Sequence, residues 1–119
     1  MKILYNWTEM ILKNKARKTI IAANLKEARS IADKTLGLLK KSNSRSMIFE
    51  TRFGIHTFFM DKSIDVLILD SYYKVCRIKK GLKPNRIFIY NFRYPFVVEL
   101  PLGLIDKSKT KLGDRLDIE

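Results

Sequence analysis

The chain from residue 47 to residue 69 reads MIFETRFGIHTFFMDKSIDVLIL, and the apolar runs within it decide the fold. Each run is short and rich in β-branched or aromatic residues, and polar residues or a glycine separate it from the next. Such runs are typical of β-strands, whereas an amphipathic helix would repeat its apolar residues every three or four positions. Side chains along a strand alternate between its two faces, so successive strands of this kind can wrap a sheet around one interior.

The same pattern extends through the chain on both sides of this stretch. Upstream, Ile3–Ala22 is expected to form two or three short strands; downstream, Gly103–Asp117 is expected to form a turn or single helical turn and then a last short strand. Between them the predicted strands are Met47–Phe49, Ile55–Met60, Val66–Leu69, Tyr72–Ile78, Ile87–Tyr90 and Phe96–Leu100. Several short strands at this spacing favour a compact antiparallel β-barrel or sandwich over a sheet that alternates with helices.

One segment has helical rather than strand spacing. Asn24 is followed three residues later by Glu27, a pair that can cap the N-terminus of a helix. Behind this pair the residues at helical spacing are Ala28, Ile31, Ala32, Thr35 and Leu36. The sequence therefore predicts a mainly β fold with one short helix around residues 25–37. Its length of 119 residues is that of a single domain spanning residues 1–119.

Composition excludes several classes of protein. No apolar run approaches the roughly 18 residues of a transmembrane helix, and the start of the chain lacks the features of a signal peptide, so a soluble, cytoplasmic protein is expected. Cys76 is the only cysteine, which excludes an internal disulfide and a tetrahedral cysteine–histidine zinc site. The sequence also lacks a glycine-rich phosphate loop, paired metal-ligand histidines and a nucleophile motif. We therefore predict no catalytic residues, no metal and no cofactor.

The charge of the chain is strongly positive. Lys and Arg number 24 against 12 Asp and Glu, which gives a formal net charge of +12. Such an excess attracts polyanions, including nucleic acid. The chain is also rich in Lys and Ile and contains no Gln, a usage that suits a thermophile or an AT-rich genome. The charge therefore permits a nucleic-acid role without establishing one.

Several motifs that follow one another in a fixed order resemble a known family. They are Leu36–Leu39, Ser46–Phe49, Ile55–Met60, Ile64–Val66, Val98–Gly103 and Leu112–Asp114. The series is similar to domain of unknown function 192 of bacteria and archaea, from about Ile20 to the C-terminus. This chain has Leu39 where the family usually has Met, and Leu102 where it has Ala; both changes conserve packing. The resemblance implies a small, barrel-like β fold with one helix, and it implies no reaction.

A first candidate site is a ligand pocket near the only histidine, His56. On a strand, His56, Phe58 and Met60 share one face, and Asp65 follows the next turn, from which it could orient the imidazole ring. Glu99 interrupts an apolar run, so it either faces solvent or pairs with a donor, because an unpaired buried carboxylate is costly. The functional interpretation is a binding pocket formed by these five residues. The structural interpretation is a hydrogen-bonded histidine that stabilises a hairpin.

A second candidate site is a nucleic-acid interface built from the basic clusters Lys13–Lys18 and Arg77–Arg86. Its predicted residues are Lys13, Lys15, Arg17, Lys79, Lys80, Lys83 and Arg86. The first cluster either extends as a strand or forms the tip of a hairpin. The aromatic residues Phe88, Tyr90 and Phe92 alternate along a strand; if exposed, they could stack on bases, and otherwise they belong to the core.

Between these alternatives the sequence favours a small β-barrel accessory or binding module whose partner is a small ligand or a protein. A nucleic-acid-binding protein is the alternative. The motifs that carry the family resemblance are apolar and turn residues, whereas the basic clusters fall largely between them. The positive charge is therefore interpreted as a property of this member rather than of the family pattern.

Overall fold

The computed structural model describes residues 10–28, 46–51, 54–57, 60–91 and 93–119. The strands in these ranges are β1 (Met10–Asn14), β2 (Thr19–Ala28), β3 (Ser46–Glu50), β4 (Ile55–His56), β5 (Ile64–Leu69), β6 (Val75–Leu82), β7 (Ile87–Phe88), β8 (Phe96–Pro101) and β9 (Leu116–Ile118). A single helical turn, α1 (Leu104–Lys107), lies between β8 and β9. No helix in the described ranges is long and apolar enough to cross a membrane.

Seven strands form one curled sheet in the order β6–β5–β8–β3–β2–β1–β9, and β4 pairs with β7 in a separate ribbon. Neighbouring strands are antiparallel except β2 and β3, which are parallel. The two edges of the sheet meet at an isolated antiparallel β-bridge between the backbones of Lys74, just before β6, and Arg115, just before β9. Beside this bridge the amide of Val75 donates to the carbonyl of Asp114 at 2.9 Å. The predicted mainly β, barrel-like fold is confirmed.

Apolar side chains cover both faces of this sheet. One cluster, which we call the inner core, comprises Leu12, Ile21, Ala22, Leu25, Ile48, Leu67, Leu69, Val75, Val98, Leu100, Ile105 and Leu116. The other, the outer core, comprises Met47, Phe49, Ile55, Ile64, Val66, Ile68, Leu82, Phe88, Tyr90 and Val97. Every residue of β5 is buried, because alternate side chains enter one core or the other. A strand covered on both faces needs no polar alternation, which explains its continuous apolar run.

Several predicted strands are shorter than the sequence pattern suggested. Of the strand predicted over Ile55–Met60, the structure has β4, which ends at His56, while Thr57 and Met60 are not in a strand and residues 58 and 59 lie outside the described residues. The strand predicted over Tyr72–Ile78 begins only at Val75, because the carboxylate Oδ1 of Asp70 accepts the amides of residues 72 and 74 at 2.8 and 2.9 Å and holds a turn. Sequence periodicity alone does not detect a turn made by one carboxylate inside an apolar run.

The predicted start of the helix is wrong. Residues 25–28 end strand β2, where Leu25–Ala28 pair in parallel with Ser46–Phe49. The backbone hydrogen bonds of this ladder and the burial of Leu25 outweigh the local capping signal of Asn24. The rest of that prediction, residues 29–37, lies outside the described residues. By contrast, the single helical turn expected after Gly103 is confirmed as α1.

Candidate functional site

The residues of the predicted ligand pocket divide between the two faces of the sheet. Glu99 of β8 lies between Met47 of β3 and Val66 of β5, two residues of the outer core. Met60 packs against the same core, and His56 is exposed on β4. Asp65 precedes Val66 in β5 and therefore faces the inner core. The structure thus brings Met60 and Glu99 to one side and separates Asp65 from them. Phe58 lies outside the described residues.

Asp65 is a structural tether. Its carboxylate is buried, with 1% of the residue exposed. Oδ1 accepts the amide of Gly81 at 3.0 Å, and Oδ2 accepts the amides of Gly103 and Ile105 at 3.0 and 3.3 Å. These bonds fasten the end of β6 to the start of α1, and the predicted hydrogen bond to the His56 ring is not among them.

Glu99 is a buried acid in apolar surroundings. Only 6% of the residue is exposed, and within the described part of the chain its Oε2 has no hydrogen-bond partner. Burial raises the pKa of Glu99 to about 7. Neither outcome expected from the sequence, exposure to solvent or a paired donor, describes this oxygen. Nearby, burial raises the pKa of Tyr90 to about 12, while its hydroxyl donates to the carbonyl of Thr51 at 2.7 Å.

The basic residues of the predicted nucleic-acid interface fall into two groups, those already in an ion pair and those open to solvent. Residues 15–18 form the turn between β1 and β2, so of the two alternatives the hairpin tip is confirmed. Three of the cations are already paired: Lys13 with Glu119 (Nζ to Oε2, 2.5 Å), Arg17 with Asp114 (Nε to Oδ2, 3.0 Å) and Lys80 with Asp106 (Nζ to Oδ1, 2.6 Å).

The other predicted basic residues remain open to solvent. Lys15, Lys79 and Lys83 are exposed and form no ion pair with any residue that the structure describes. Nη1 of Arg86 donates to the carbonyls of Pro84 and Asn85 at 3.5 and 3.4 Å. Of the seven basic residues predicted for the interface, three are therefore already paired with a carboxylate and are less available to bind phosphates.

The aromatic residues near β7 belong to the core. Phe88 and Tyr90 are 8% and 6% exposed, whereas Ile87 and Ile89 on the opposite face are 64% and 70% exposed. The guanidinium of Arg77 lies 4.8 Å from the centroid of the Phe88 ring and covers it from outside. A base-stacking role for these two rings is therefore wrong, and Phe92 lies outside the described residues.

A polar network that the sequence did not reveal joins the hairpin tip to the C-terminal segment. Asn14, 1% exposed, donates from Nδ2 to Asp114 Oδ2 at 2.9 Å and to Thr110 Oγ1 at 3.1 Å. The same Asp114 oxygen accepts Nε of Arg17 and, at 2.9 Å, the amide of Lys111. Burial would raise the pKa of Asp114, but these hydrogen bonds outweigh it and lower the pKa. No sequence signal indicated these distant partners of Asp114.

Concave surface lies on the side of the molecule formed by β2 and α1. A cavity of about 430 Å³, the β2–α1 cavity, is bounded by residues 20–24 of β2, by Ser46, and by Pro101, Leu104 and Lys107. A second, of about 400 Å³, adjoins it at Ile20 and contains Lys13, Lys15 and Lys18. Neither cavity involves the predicted pocket residues. Among the described residues, no group of three or more His, Cys, Asp and Glu side chains could hold a metal ion.

One residue that lines the β2–α1 cavity has an unusual polar atom. Ser46 is 1% exposed, and its Oγ has no hydrogen-bond partner in the described ranges. Ser46 begins β3 and pairs with Leu25 of β2, which places a polar atom beside apolar walls. No sequence signal could have singled out this serine, because the cavity is assembled from β2, β3, β8 and α1.

Comparison with known proteins identifies the relatives of this fold. The model of the family DUF192, described as "Uncharacterized ACR", matches residues 11–118. A UPF0127 protein of Pyrococcus horikoshii is 34% identical over 112 residues, which cover 89% of this chain and 96% of that protein. A UPF0127 protein of Thermococcus sibiricus is 32% identical over 116 residues, 92% of this chain and 75% of that protein.

A solved structure has the same fold. The crystal structure of a protein of unknown function from Novosphingobium aromaticivorans matches with a TM-score of 0.73 at 16% identity, over 92% of this chain and 83% of that one. The family match covers nearly the whole sheet and confirms the resemblance found in the sequence. The chain belongs to the DUF192 family.

Proposed function

We propose that this protein is a small β-barrel binding module that holds a small ligand in the β2–α1 cavity. A volume of about 430 Å³ lies within the range of small-molecule sites. The walls from Ile20 to Ala23, with Pro101 and Leu104, are mostly apolar, as such sites usually are. The single observation that carries the proposal is the buried hydroxyl of Ser46, which has no hydrogen-bond partner among the residues the structure describes.

The hydroxyl of Ser46 is costly for the fold alone. A buried donor without a partner destabilises a protein by about 1–3 kcal/mol, and alanine would occupy nearly the same volume without that loss. A ligand that enters the cavity and displaces the atoms covering Oγ could accept or donate a hydrogen bond there and recover this energy. Binding would therefore explain a serine at this position, which stability alone does not favour.

Replacing Ser46 by alanine tests the proposal, because stability and binding should change in opposite directions. The probe is 1-octanol, titrated into the isotope-labelled protein and followed by NMR shifts of the amides of Ala22, Ala23 and Leu104. We expect Ser46→Ala to raise the free energy of unfolding by about 1 kcal/mol and to weaken octanol binding about fivefold. A variant that is less stable and binds equally well would show that the serine is structural.

Two tryptophan substitutions provide a matched control. Ala23 is exposed and lines the cavity, so Ala23→Trp should fill it and abolish the shifts. Ile89→Trp adds the same side chain at an exposed position outside the cavity and should leave binding unchanged. If octanol still causes the shifts in Ala23→Trp but not in His56→Ala, the pocket predicted from the sequence is favoured. That result would contradict binding in the β2–α1 cavity.

Binding of single-stranded nucleic acid is a second candidate function. The observation that favours it is the exposure of Lys15, Lys79 and Lys83 without an ion pair in the described chain. Free cations of this kind can neutralise phosphates and release counterions. Since Phe88 and Tyr90 are buried, affinity would rest on charge rather than on stacking.

The nucleic-acid candidate predicts a steep salt dependence. Fluorescence anisotropy of a labelled oligothymidine should give a micromolar Kd at low salt that weakens steeply as salt rises. Neutralising Lys79, Lys80 and Lys83 together to alanine should remove the binding. Neutralising the exposed Lys62, Lys109 and Lys111 changes the net charge equally, outside both predicted clusters, and should retain most of it. Absence of binding at low salt would eliminate this candidate.

A further inference from the structure

We infer that the ligand of the β2–α1 cavity is a small amphipathic carboxylate, with its alkyl chain against β2 and its carboxylate at a rim of lysines. This inference rests on the proposed function and adds the chemical class of the ligand. Three features support it: apolar walls, a buried hydroxyl and a one-sided distribution of charge.

The apolar walls select the body of the ligand. Ile20 is 58% exposed although it is a large aliphatic residue, and it lines both the β2–α1 cavity and the adjoining one. Leu104 lies opposite, on α1, and is only partly buried. An alkyl chain between these side chains would remove apolar surface from water on both partners, which is the main favourable contribution to binding in such a site.

The charges around the cavity select the head group. Lys107 lines the cavity, and the neighbouring carboxylate of Asp106 already pairs with Lys80 at 2.6 Å. Across Ile20, the adjoining cavity adds Lys15 and Lys18, together with Lys13, which is already paired with Glu119. Neither cavity is lined by an Asp or Glu among the residues the structure describes. An anionic head is therefore attracted and an ammonium head repelled.

The number and type of these groups favour a carboxylate. Phosphate groups are commonly bound by arginine, whose guanidinium forms bidentate hydrogen bonds with them. Arg17, the arginine of the hairpin tip, is already paired with Asp114 (Nε to Oδ2, 3.0 Å). Lys107 offers a single cation at the cavity itself, and Ser46 has one buried hydroxyl, which a ligand reaches by displacing the atoms that cover it. One lysine and one hydroxyl donor match the two oxygens of a carboxylate.

Three ligands with the same alkyl chain test the head group: octanoate, 1-octanol and octylamine. In NMR titrations of the whole chain, octanoate should bind about fivefold more tightly than 1-octanol, and octylamine should bind most weakly. Lys107→Met should reduce the affinity for octanoate to that for 1-octanol and leave 1-octanol unaffected. Lys111→Met removes an exposed lysine that does not line the cavity and should change neither.

The outcomes separate the inference from the proposed function. If 1-octanol binds as tightly as octanoate and Ala23→Trp blocks both, the cavity is a binding site and the carboxylate inference is wrong. If octylamine binds most tightly, the assigned charge preference is also wrong. If none of the three shifts the amides of the cavity, the proposed function itself fails. The preference for octanoate should shrink with added salt, because exposed lysines are screened.

Discussion

Replacing Glu99 by glutamine is expected to remove a loss of stability that the protein suffers as the pH rises from about 4.5 to about 7. Burial raises the pKa of this carboxyl to about 7 from an ordinary value of 4.5. Between these values the unfolded chain releases the proton while the folded protein retains it, so stability falls with rising pH. Below this window the carboxyl is protonated in both states, and above it the loss is complete.

The size of the effect follows from the two pKa values. Each pKa unit corresponds to about 1.4 kcal/mol, so the folded protein should lose roughly 3 kcal/mol across the window. The wild type should therefore lose about that much unfolding free energy as the pH rises through the window. Glu99→Gln should not, so the stability of the variant relative to the wild type should increase by the same amount. Urea unfolding at pH values between 4 and 9 measures it.

A neighbouring carboxyl provides the control for this prediction. Glu50 of β3 is exposed, and Glu50→Gln should retain the decline in stability between pH 4.5 and 7. The lowered pKa of Asp114 contributes stability that is lost at acid pH, and this contribution is common to all three proteins. If the unfolding free energies of the wild type and of Glu99→Gln change equally with pH between 4.5 and 7, the prediction is contradicted.

Removing the carboxylate of Asp65 is expected to be the most damaging single change. Asp65→Ala leaves the amides of Gly81, Gly103 and Ile105 without their acceptor; the bond to Ile105 is buried and the other two are partly buried. Each lost partner costs about 1–3 kcal/mol when it is buried, so the three together should cost roughly 3–9 kcal/mol. A domain of this size has about 5–15 kcal/mol of stability in total. Asp65→Asn keeps one oxygen acceptor and should lose less.

Hydrogen exchange locates the effect of Asp65→Ala. The amides of Gly81, Gly103 and Ile105 should exchange faster than in the wild type, since they lose their acceptor, and urea unfolding should give the total loss. Asp106→Ala removes a carboxylate from the same helical turn, where it forms only an exposed ion pair, and should cost at most about 1 kcal/mol. A similar small loss for Asp65→Ala would show that its hydrogen bonds contribute little.

The strands that the sequence predicted best are those with a buried, continuous apolar run. β5 and β8 follow their runs closely, because both of their faces meet a core and no local turn competes. The helix predicted from residue 25 was wrong at its start, because pairing with a strand some twenty residues further along decided the conformation of Leu25. Local propensity does not contain that information.

The candidate site was much harder to predict than the fold. Alternation within β5 and β8 gives the two faces of each strand, but the register between them is needed to show that Asp65 and Glu99 face opposite ways. The β2–α1 cavity joins residues from near the two ends of the described chain, so no motif spans it. The same separation hid the pairing of Asn14 with Asp114, which lie 100 residues apart.

The pairing of β1 with β9 has a consequence for how the molecule is made. The amide of Ile11 donates to the carbonyl of Glu119 at 2.8 Å, and the reverse bond measures 2.9 Å. β9 is the last strand of the sheet in chain order, so the sheet can be completed only after its other strands have been synthesised. Most of its contacts join residues distant along the chain, and a chain of this kind folds slowly. Until β9 pairs with it, β1 therefore has an open edge, to which another unfolded chain or a chaperone can bind.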